Sequence, residues 1–596
     1  MESTLISSSF IPCHHELLHL SSSKRSNYVK IHHESTITIS KSSIITTTFN
    51  PIKKLINHTV QTFQNLKNPS PSINNLHQQP LLPIIFNKID DFIINFIDSP
   101  TLHPSINPKH VLSGHSAPVD ELPPTACAVV EGALPPCLDG AYIRNGPNPQ
   151  FIPKSPYHFF EGDGMLHVIR ISQGKATFCC RYVKTHKHAV EREIGRPFVP
   201  RVLSSFSGGI GASAARLLLT SARVLAGQFD PAAHGFGGAN ATVYLFGGRL
   251  LAFCETDLPY AVKITPEGDI ATLGRHDFQT SEPFVRMTAH PKIDRATGEA
   301  FAYEYDVVRP FLTFFRIGAD GRKQKGVPIS SMEACSCTHD FSVTENYAVF
   351  PDIQVVVNPW WFAGGRSPVG IDIGKVPRVG VIPKYAEDER EMRWIDSPGL
   401  NMMHCVNAWE EDGGAAITIV ASNGISVDKF LDNFHLAQMS LEKITIDVEA
   451  KTVRRRRLST KSLDLAVINP AYAAKKVRYV YATILGETSW EGVVKLDLSL
   501  PDEDGSGCTV ASRLYGPGCC GGEPFFVARD PKDPTAAEDD GYLVTYVHDE
   551  NIQESKFLVM DAKSPNLDII AAVKLPQRIP DGFHGLFVSE ADLSKL

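Results

Sequence analysis

The polypeptide from residue 140 onward is predicted to be all-β, on two observations. Short runs rich in Val, Ile, Thr, Tyr and Phe recur through it, among them Ala241–Glu255, Tyr347–Ile353, Ala415–Ser422, Arg478–Leu485 and Gly541–His548. Turn-forming residues separate them, as in P-E-G-D (Pro266–Asp269) and R-A-T-G-E (Arg295–Glu299). Many short strands at regular spacing imply a sandwich, a barrel or a propeller. No internal repeat is legible, so periodicity does not choose among the three. A length of 596 residues is large for one domain, but β architectures commonly reach such sizes undivided.

Three regions precede or make up this body. Residues 1 to about 80 are rich in Ser, Thr, Asn and His, with only Glu2, Glu16 and Glu34 as carboxylates and Arg25 as the single arginine. That composition predicts an organelle transit peptide followed by a disordered tail, and the scarcity of arginine favours chloroplast over mitochondrion. Residues 81–115 form an amphipathic helical segment and linker. Ile85, Ile89, Phe92, Ile93 and Phe96 recur at helical spacing, Pro83 suits the first turn and Pro100 ends the helix. A helix so apolar on one side must bury that side, in the body or in a lipid surface. Residues 116–596 are the β domain. Within it Ala212–Gln228 is a second helical piece, apolar at Leu217–Leu219, Val224 and Leu225. No apolar run is long enough to span a bilayer.

Charge and cysteine usage narrow the function. The net charge is −7, and residues 1–89 carry eight Lys/Arg against three Asp/Glu, which leaves −12 on residues 90–596. An acidic body argues against nucleic acid, because phosphate binding needs concentrated positive charge. The basic run Arg454–Arg457 reads as a solvated strand face. Twelve cysteines form no C-x-x-C and no regular framework, which favours reduced thiols over disulfides or thiolate–metal sites. The glycine-rich G-G-I-G-A-S-A-A (Gly208–Ala215) lacks the acidic residue that a dinucleotide fingerprint requires. Neither a G-x-S-x-G motif nor a Walker A motif is present.

Four histidines stand out: His290 in T-A-H-P-K, His339 in C-T-H-D-F, His404 in N-M-M-H-C-V and His584 in G-F-H-G-L-F. Gaps of 49, 65 and 180 residues separate them, so no local ligand motif unites them. A histidine of this kind taken singly is more often a satisfied core residue than a ligand. Neutral imidazole suits Zn, Cu, Fe and Ni alike, and ligand type leaves the metal open.

The words around these histidines resemble those of the carotenoid cleavage oxygenases, most of all the fourth subfamily of plant plastid carotenoid cleavage dioxygenases. The matching text includes G-A-Y-I-R-N-G-P-N-P (Gly140–Pro149), E-G-D-G-M-L-H (Glu161–His167), D-L-P-Y-A-V (Asp257–Val262), G-V-I-P-K-Y-A (Gly380–Ala386), G-G-E-P-F-F-V-A-R-D-P (Gly521–Pro531) and Y-V-H-D-E (Tyr546–Glu550). The resemblance implies a seven-bladed β-propeller capped on one face by helices and loops. It implies one Fe(2+) held by His290, His339, His404 and His584, with O2 as co-substrate. It also implies outer carboxylates at Glu255, Asp464 and Glu523, where Asp464 is one methylene shorter than the glutamate of much of the family. Phe160, Met403 and Phe583 become candidates for an apolar substrate tunnel. Trp360 and Trp361 depart from the subfamily and either reshape that tunnel or cover a loop.

The expected reaction is cleavage of a carotenoid C=C bond, 9,10 or 9′,10′ with 7,8 as a variant, giving an apocarotenal and a C13 ketone. The expected setting is a plastid lipid surface or plastoglobule, with no obligate protein partner. Two alternatives stay open: cleavage of 9-cis-epoxycarotenoids toward abscisic acid, and a propeller that binds carotenoid without catalysis.

Overall fold

The computed structural model describes residues 81–99, 101–364, 367–431, 437–487, 489–501 and 507–596. The expected transit peptide lies outside these residues. All of the described residues belong to one compact unit, His77–Leu596. The architecture is all-β and propeller-like. Five antiparallel four-stranded sheets follow one another in chain order, each with its strands in sequence order or its exact reverse. They start with the strands Thr242–Phe246, Lys292–Ile293, Ser342–Val343, Met402–Glu411 and Leu463–Val467. Hydrophobic clusters fill the spaces between consecutive sheets. Val349, Val379 and Ile395 of one sheet, for example, pack with Ala408, Ile419 and Ile444 of the next.

The seven separate blades implied by the resemblance are not what the sheets display. Five sheets are independent, and a ten-stranded sheet carries both ends of the domain. The cause is the long strand Leu122–Gly132. Its first half pairs with Lys175–Tyr182 and its second half pairs with Ile569–Lys574, so the one strand joins two sets of strands into a single sheet. The C-terminal strand Gly585–Ser589 lies against Gly140–Pro147 at one edge of that sheet. The two ends of the β domain are thus joined by backbone hydrogen bonds, which is how a closed ring of sheets is secured. Residues Pro359–Gly364 form a short 3-10 helix beside a two-stranded ribbon, Val355–Val357 with Val369–Ile371.

The expected strands are where the sequence put them: Tyr347–Asp352, Ala416–Gly424, Tyr479–Leu485 and Gly541–Asp549 are all strands. The basic run sits on the edge strand Thr452–Arg457 with mostly exposed or half-exposed positions, and Arg455 pairs with Glu442. Every cysteine among the described residues is a free thiol.

The two predicted helices exist, Leu81–Phe92 with a π turn to Ile97 and Ile210–Leu225, but both are turned inside out. In the first, Phe86 and Ile93 are buried, while Ile85, Ile89, Phe92 and Phe96 are exposed, Phe96 by 75%. In the second, Leu217, Leu218 and Leu225 face out, whereas Arg216 and Arg223 are buried. The inner faces meet through polar contacts around a small apolar cluster of Phe86, Ile93, Ala212 and Leu219. Arg223 donates to the Asn87 side chain at 3.0 Å and stacks over Phe198. Arg216 pairs with Asp98, and Arg196 pairs with Asp90 and Asp91. The pair thus buries its guanidinium groups and leaves leucine, isoleucine and phenylalanine side chains on the surface. None of the described helices is long and apolar enough to cross a membrane.

Candidate metal centre

The four histidines converge. One ring nitrogen from each of His290, His339, His404 and His584 lies within 4.8 Å of the others. Each is carried at or just before an edge strand of a different sheet: Lys292–Ile293, Ser342–Val343, Met402–Glu411 and Gly585–Ser589. Edge strands of successive sheets run side by side at the hub, so residues remote in sequence meet there. His404 needs a further device. Its strand slips register between Met402 and His404 and again between Cys405 and Asn407, and such bulges re-aim a side chain that regular alternation would send elsewhere.

Three of the rings have a carboxylate on the outer nitrogen. Nδ1 of His404 lies 2.8 Å from Asp464 Oδ1 and Nδ1 of His584 lies 2.8 Å from Glu523 Oε1. Nδ1 of His339 lies 2.7 Å from Glu255 Oε1. Glu523 also accepts the Gly585 N–H at 2.8 Å, which fixes the backbone beside His584. The shorter Asp464 reaches its histidine because its strand is bulged between Asp464 and Val467 and Leu465 adopts a positive φ of 49°. Burial would raise the Asp464 and Glu255 carboxyls, yet His404 and His339 beside them hold both below their ordinary range. Ionised carboxylates only accept, so Nδ1 is the donor in each pair and Nε2 is left with a bare lone pair.

That tautomer tests whether a metal fits. His339 Nε2 lies 3.2 Å from His404 Nε2 and 3.0 Å from His290 Nε2. Two bare nitrogens at 3.2 Å repel one another unless a cation lies between them. Neighbouring ligands on one ion with metal–nitrogen bonds of about 2.0–2.1 Å stand roughly 3 Å apart. The donor set and its spacing fit a transition-metal ion. His290 is the deepest ring, 4% exposed, and burial together with the other three imidazoles holds its pKa well below the ordinary value.

His290 also differs in its support. The nearest carboxylate, Asp340 Oδ2, is 4.0 Å from its Nδ1. Asp340 was not anticipated from the sequence. It receives Lys292 Nζ at 2.7 Å and the Cys405 N–H at 2.7 Å, so it cross-braces residues adjacent to His290, His339 and His404. The signal was available, since Asp340 follows His339 directly and Lys292 follows His290 by two.

Two apolar groups border the centre. Phe160 and Phe583 contact each other and Phe159, every pair of ring centroids being 5.7 Å apart. Met403 belongs to a separate cluster with Leu203, Cys337, Val357 and Ile353. The three tunnel candidates therefore divide between two separate clusters. Trp361 packs over Gly370, where a Cβ would meet its ring at 2.6 Å, and so covers the ribbon. Trp360 is 78% exposed on the short 3-10 helix that touches the second amphipathic helix.

An all-β body whose hub presents four imidazoles, three of them braced by carboxylates, defines a class: the non-haem metalloenzymes. Comparison with known proteins agrees with it. The retinal pigment epithelial membrane protein (RPE65) family matches residues 116–589. The chain is 54% identical over 525 residues to the probable chloroplastic carotenoid cleavage dioxygenase 4 of Arabidopsis thaliana, covering 87% of each. It is 50% identical over 524 residues to the chloroplastic 9-cis-epoxycarotenoid dioxygenase NCED1 of Oryza sativa subsp. japonica, covering 86% of this chain and 81% of that one. The crystal structure of cobalt-substituted Synechocystis ACO superposes with a TM-score of 0.63 at 25% identity, over 81% of this chain and 99% of that one. The chain belongs to the RPE65 family of carotenoid cleavage oxygenases and is an enzyme of the dioxygenase class.

Proposed function

We propose that this protein is a plastid non-haem Fe(II) dioxygenase that cleaves one double bond of a carotenoid, at 9,10 or 9′,10′, to an apocarotenal and a C13 ketone. The observation that carries the reading is the hub: four imidazoles each with a ring nitrogen within 4.8 Å of the others, three of the rings oriented by Glu255, Asp464 and Glu523. His290, His339, His404 and His584 hold the iron. Iron bound there supplies the activation of dioxygen, and the conjugated polyene supplies the electrons. The C=C bond breaks and each carbon takes one oxygen atom, so both atoms of O2 leave in the two carbonyl products. The chain's own part is to keep the rings in one tautomer, to shield the cluster from bulk water, and to guide the polyene along Phe160 and Phe583 on one wall and Met403 on the other.

The finer architecture follows the same reading. The ten-stranded sheet counts as two blades joined through Leu122–Gly132, which makes seven. Each of the seven then contributes one histidine or one carboxylate to the hub. Residues 1–80 act as the chloroplast address, 81–115 as the lipid-facing segment and linker, and 116–596 as the catalytic domain. The exposed faces of Leu81–Phe92 and Ile210–Leu225 support docking on a plastid membrane or plastoglobule, from which a lipid-soluble substrate is drawn.

The test is incubation of iron-loaded protein with β-carotene under 18O2, followed by product analysis. Ionone and apocarotenal, each carrying label, are expected. Stoichiometric binding without products overturns the reading in favour of a binding protein. Turnover confined to a 9-cis-epoxycarotenoid reassigns the substrate.

A further inference from the structure

A second cluster of ligating side chains lies apart from the four histidines. One donor atom from each of His115, Cys520 and Asp581 falls within 4.8 Å of the other two. His115 Nε2 is 3.4 Å from Asp581 Oδ2, and Cys520 Sγ is 3.5 Å from Asp581 Oδ1. Donors bound at 2.0–2.3 Å around a tetrahedral ion stand about 3.3–3.5 Å apart. On its far side the His115 ring faces Glu550, with Nδ1 to Oε1 at 3.1 Å. A carboxylate there selects the tautomer with hydrogen on Nδ1, as outer carboxylates do for metal-bound histidines. The unprotonated Nε2 then stands 3.4 Å from a carboxylate oxygen, a proximity that a cation between them makes favourable. Two guanidinium groups nearby are directed elsewhere: Arg144 donates to the Pro580 carbonyl and Arg578 to the carbonyls of His115 and Ala117. A cavity of about 40 Å³, lined by all three residues with Phe159, Trp490 and Met439, leaves room for water as a fourth ligand.

We propose that His115, Cys520 and Asp581 form a second metal site, for a divalent cation of the zinc class, with Glu550 orienting His115. Imidazole, thiolate and carboxylate together favour Zn(2+) or Co(2+) over Mg(2+) or Ca(2+). Binding as thiolate requires Cys520 to give up its proton, so metal uptake releases one. The site ties three segments together: the turn Gly114–Ser116, the strand Cys519–Cys520, and the loop that runs from Asp581 to His584. Asp581 further accepts from Ser116 Oγ and donates its backbone N–H to the His115 carbonyl at 3.3 Å. A cation here braces the loop that delivers Phe583 and His584 to the hub.

The experiment uses the full, iron-loaded protein titrated with Co(2+). A thiolate-to-cobalt charge-transfer band is expected from this site, because the four-histidine centre contains no sulfur. Cys520→Ser and His115→Ala are expected to lose the band while keeping their iron, Cys519→Ser to keep it, and Glu550→Gln to weaken cobalt binding about 10–100-fold. Absence of the band in the wild-type protein overturns the proposal without recourse to any variant. Persistence of the band in Cys520→Ser overturns it equally.

Discussion

At the residue scale, the carboxylates behind the four imidazoles are expected to decide how firmly a metal is held. Glu523 serves both His584 Nδ1 and the Gly585 N–H, so Glu523→Gln is expected to lower iron affinity about 10–100-fold, as read by iron content after dialysis against a chelator. Wild-type retention would make Glu523 a packing residue. Asp340 is expected to matter for a different reason, since it holds Lys292 and the Cys405 backbone rather than a ring nitrogen. The histidines were legible in the sequence only through the words around them, because gaps of 49, 65 and 180 residues encode nothing. Asp464 was legible with a reservation about its length. What brings the shorter side chain to His404 is a bulge and the αL residue Leu465, neither of which a sequence pattern announces.

At the element scale, close approach and outward-facing helices carry the predictions. A Cβ on Gly585 would meet the Tyr142 hydroxyl at 2.5 Å, and Tyr142 is fully buried in the core beneath it. Gly585→Ala is therefore expected to cost about 1–3 kcal/mol and to displace His584, lowering both the unfolding midpoint and the iron content. An unchanged midpoint would mean that the strand Gly585–Ser589 moves freely. Phe92, Phe96 and Leu218 point to solvent, and burying a side chain of this size stabilises by about 1.5–3 kcal/mol. Replacing all three by serine is expected to abolish co-sedimentation with phosphatidylcholine vesicles and to leave the unfolding midpoint unchanged. Loss of stability instead would show that these side chains pack within the protein. The periodicity of both helices was legible, but a stripe of leucine and isoleucine does not say which apolar medium covers it. The inward arginines, Arg216 and Arg223, were the overlooked sign, since buried guanidinium groups need partners such as Asp98 and Asn87 that lie far away in sequence.

At the scale of the whole molecule, closure of the ring is the feature that no local reading supplies. Individual strands were visible, but pairing of Leu122–Gly132 with strands at both ends of the domain depends on contacts between residues several hundred positions apart. The closed body also buries neutral histidines. Burial lowers the His158 pKa to about 4 and, with Arg144 and Arg578 adding to it, takes His167 well below the usual 6.5. In the unfolded chain both regain an ordinary pKa, so between pH 6.5 and about 4 the unfolded state binds more protons than the folded state. Stability must then fall as pH falls, each such histidine adding a slope of up to about 1.4 kcal/mol per pH unit. The urea midpoint of metal-free protein is expected to drop from pH 7 to pH 5, and less steeply in His167→Phe. A flat profile would mean that these rings reach water.

The convergence of four imidazoles on one iron is what the functional account stands on, and iron K-edge X-ray absorption of the loaded protein measures it most directly. A first shell containing four imidazole nitrogens, reduced by one in His404→Ala, is the predicted result. A shell with fewer imidazoles in the wild-type protein, or one that His404→Ala leaves unaltered, would contradict the account.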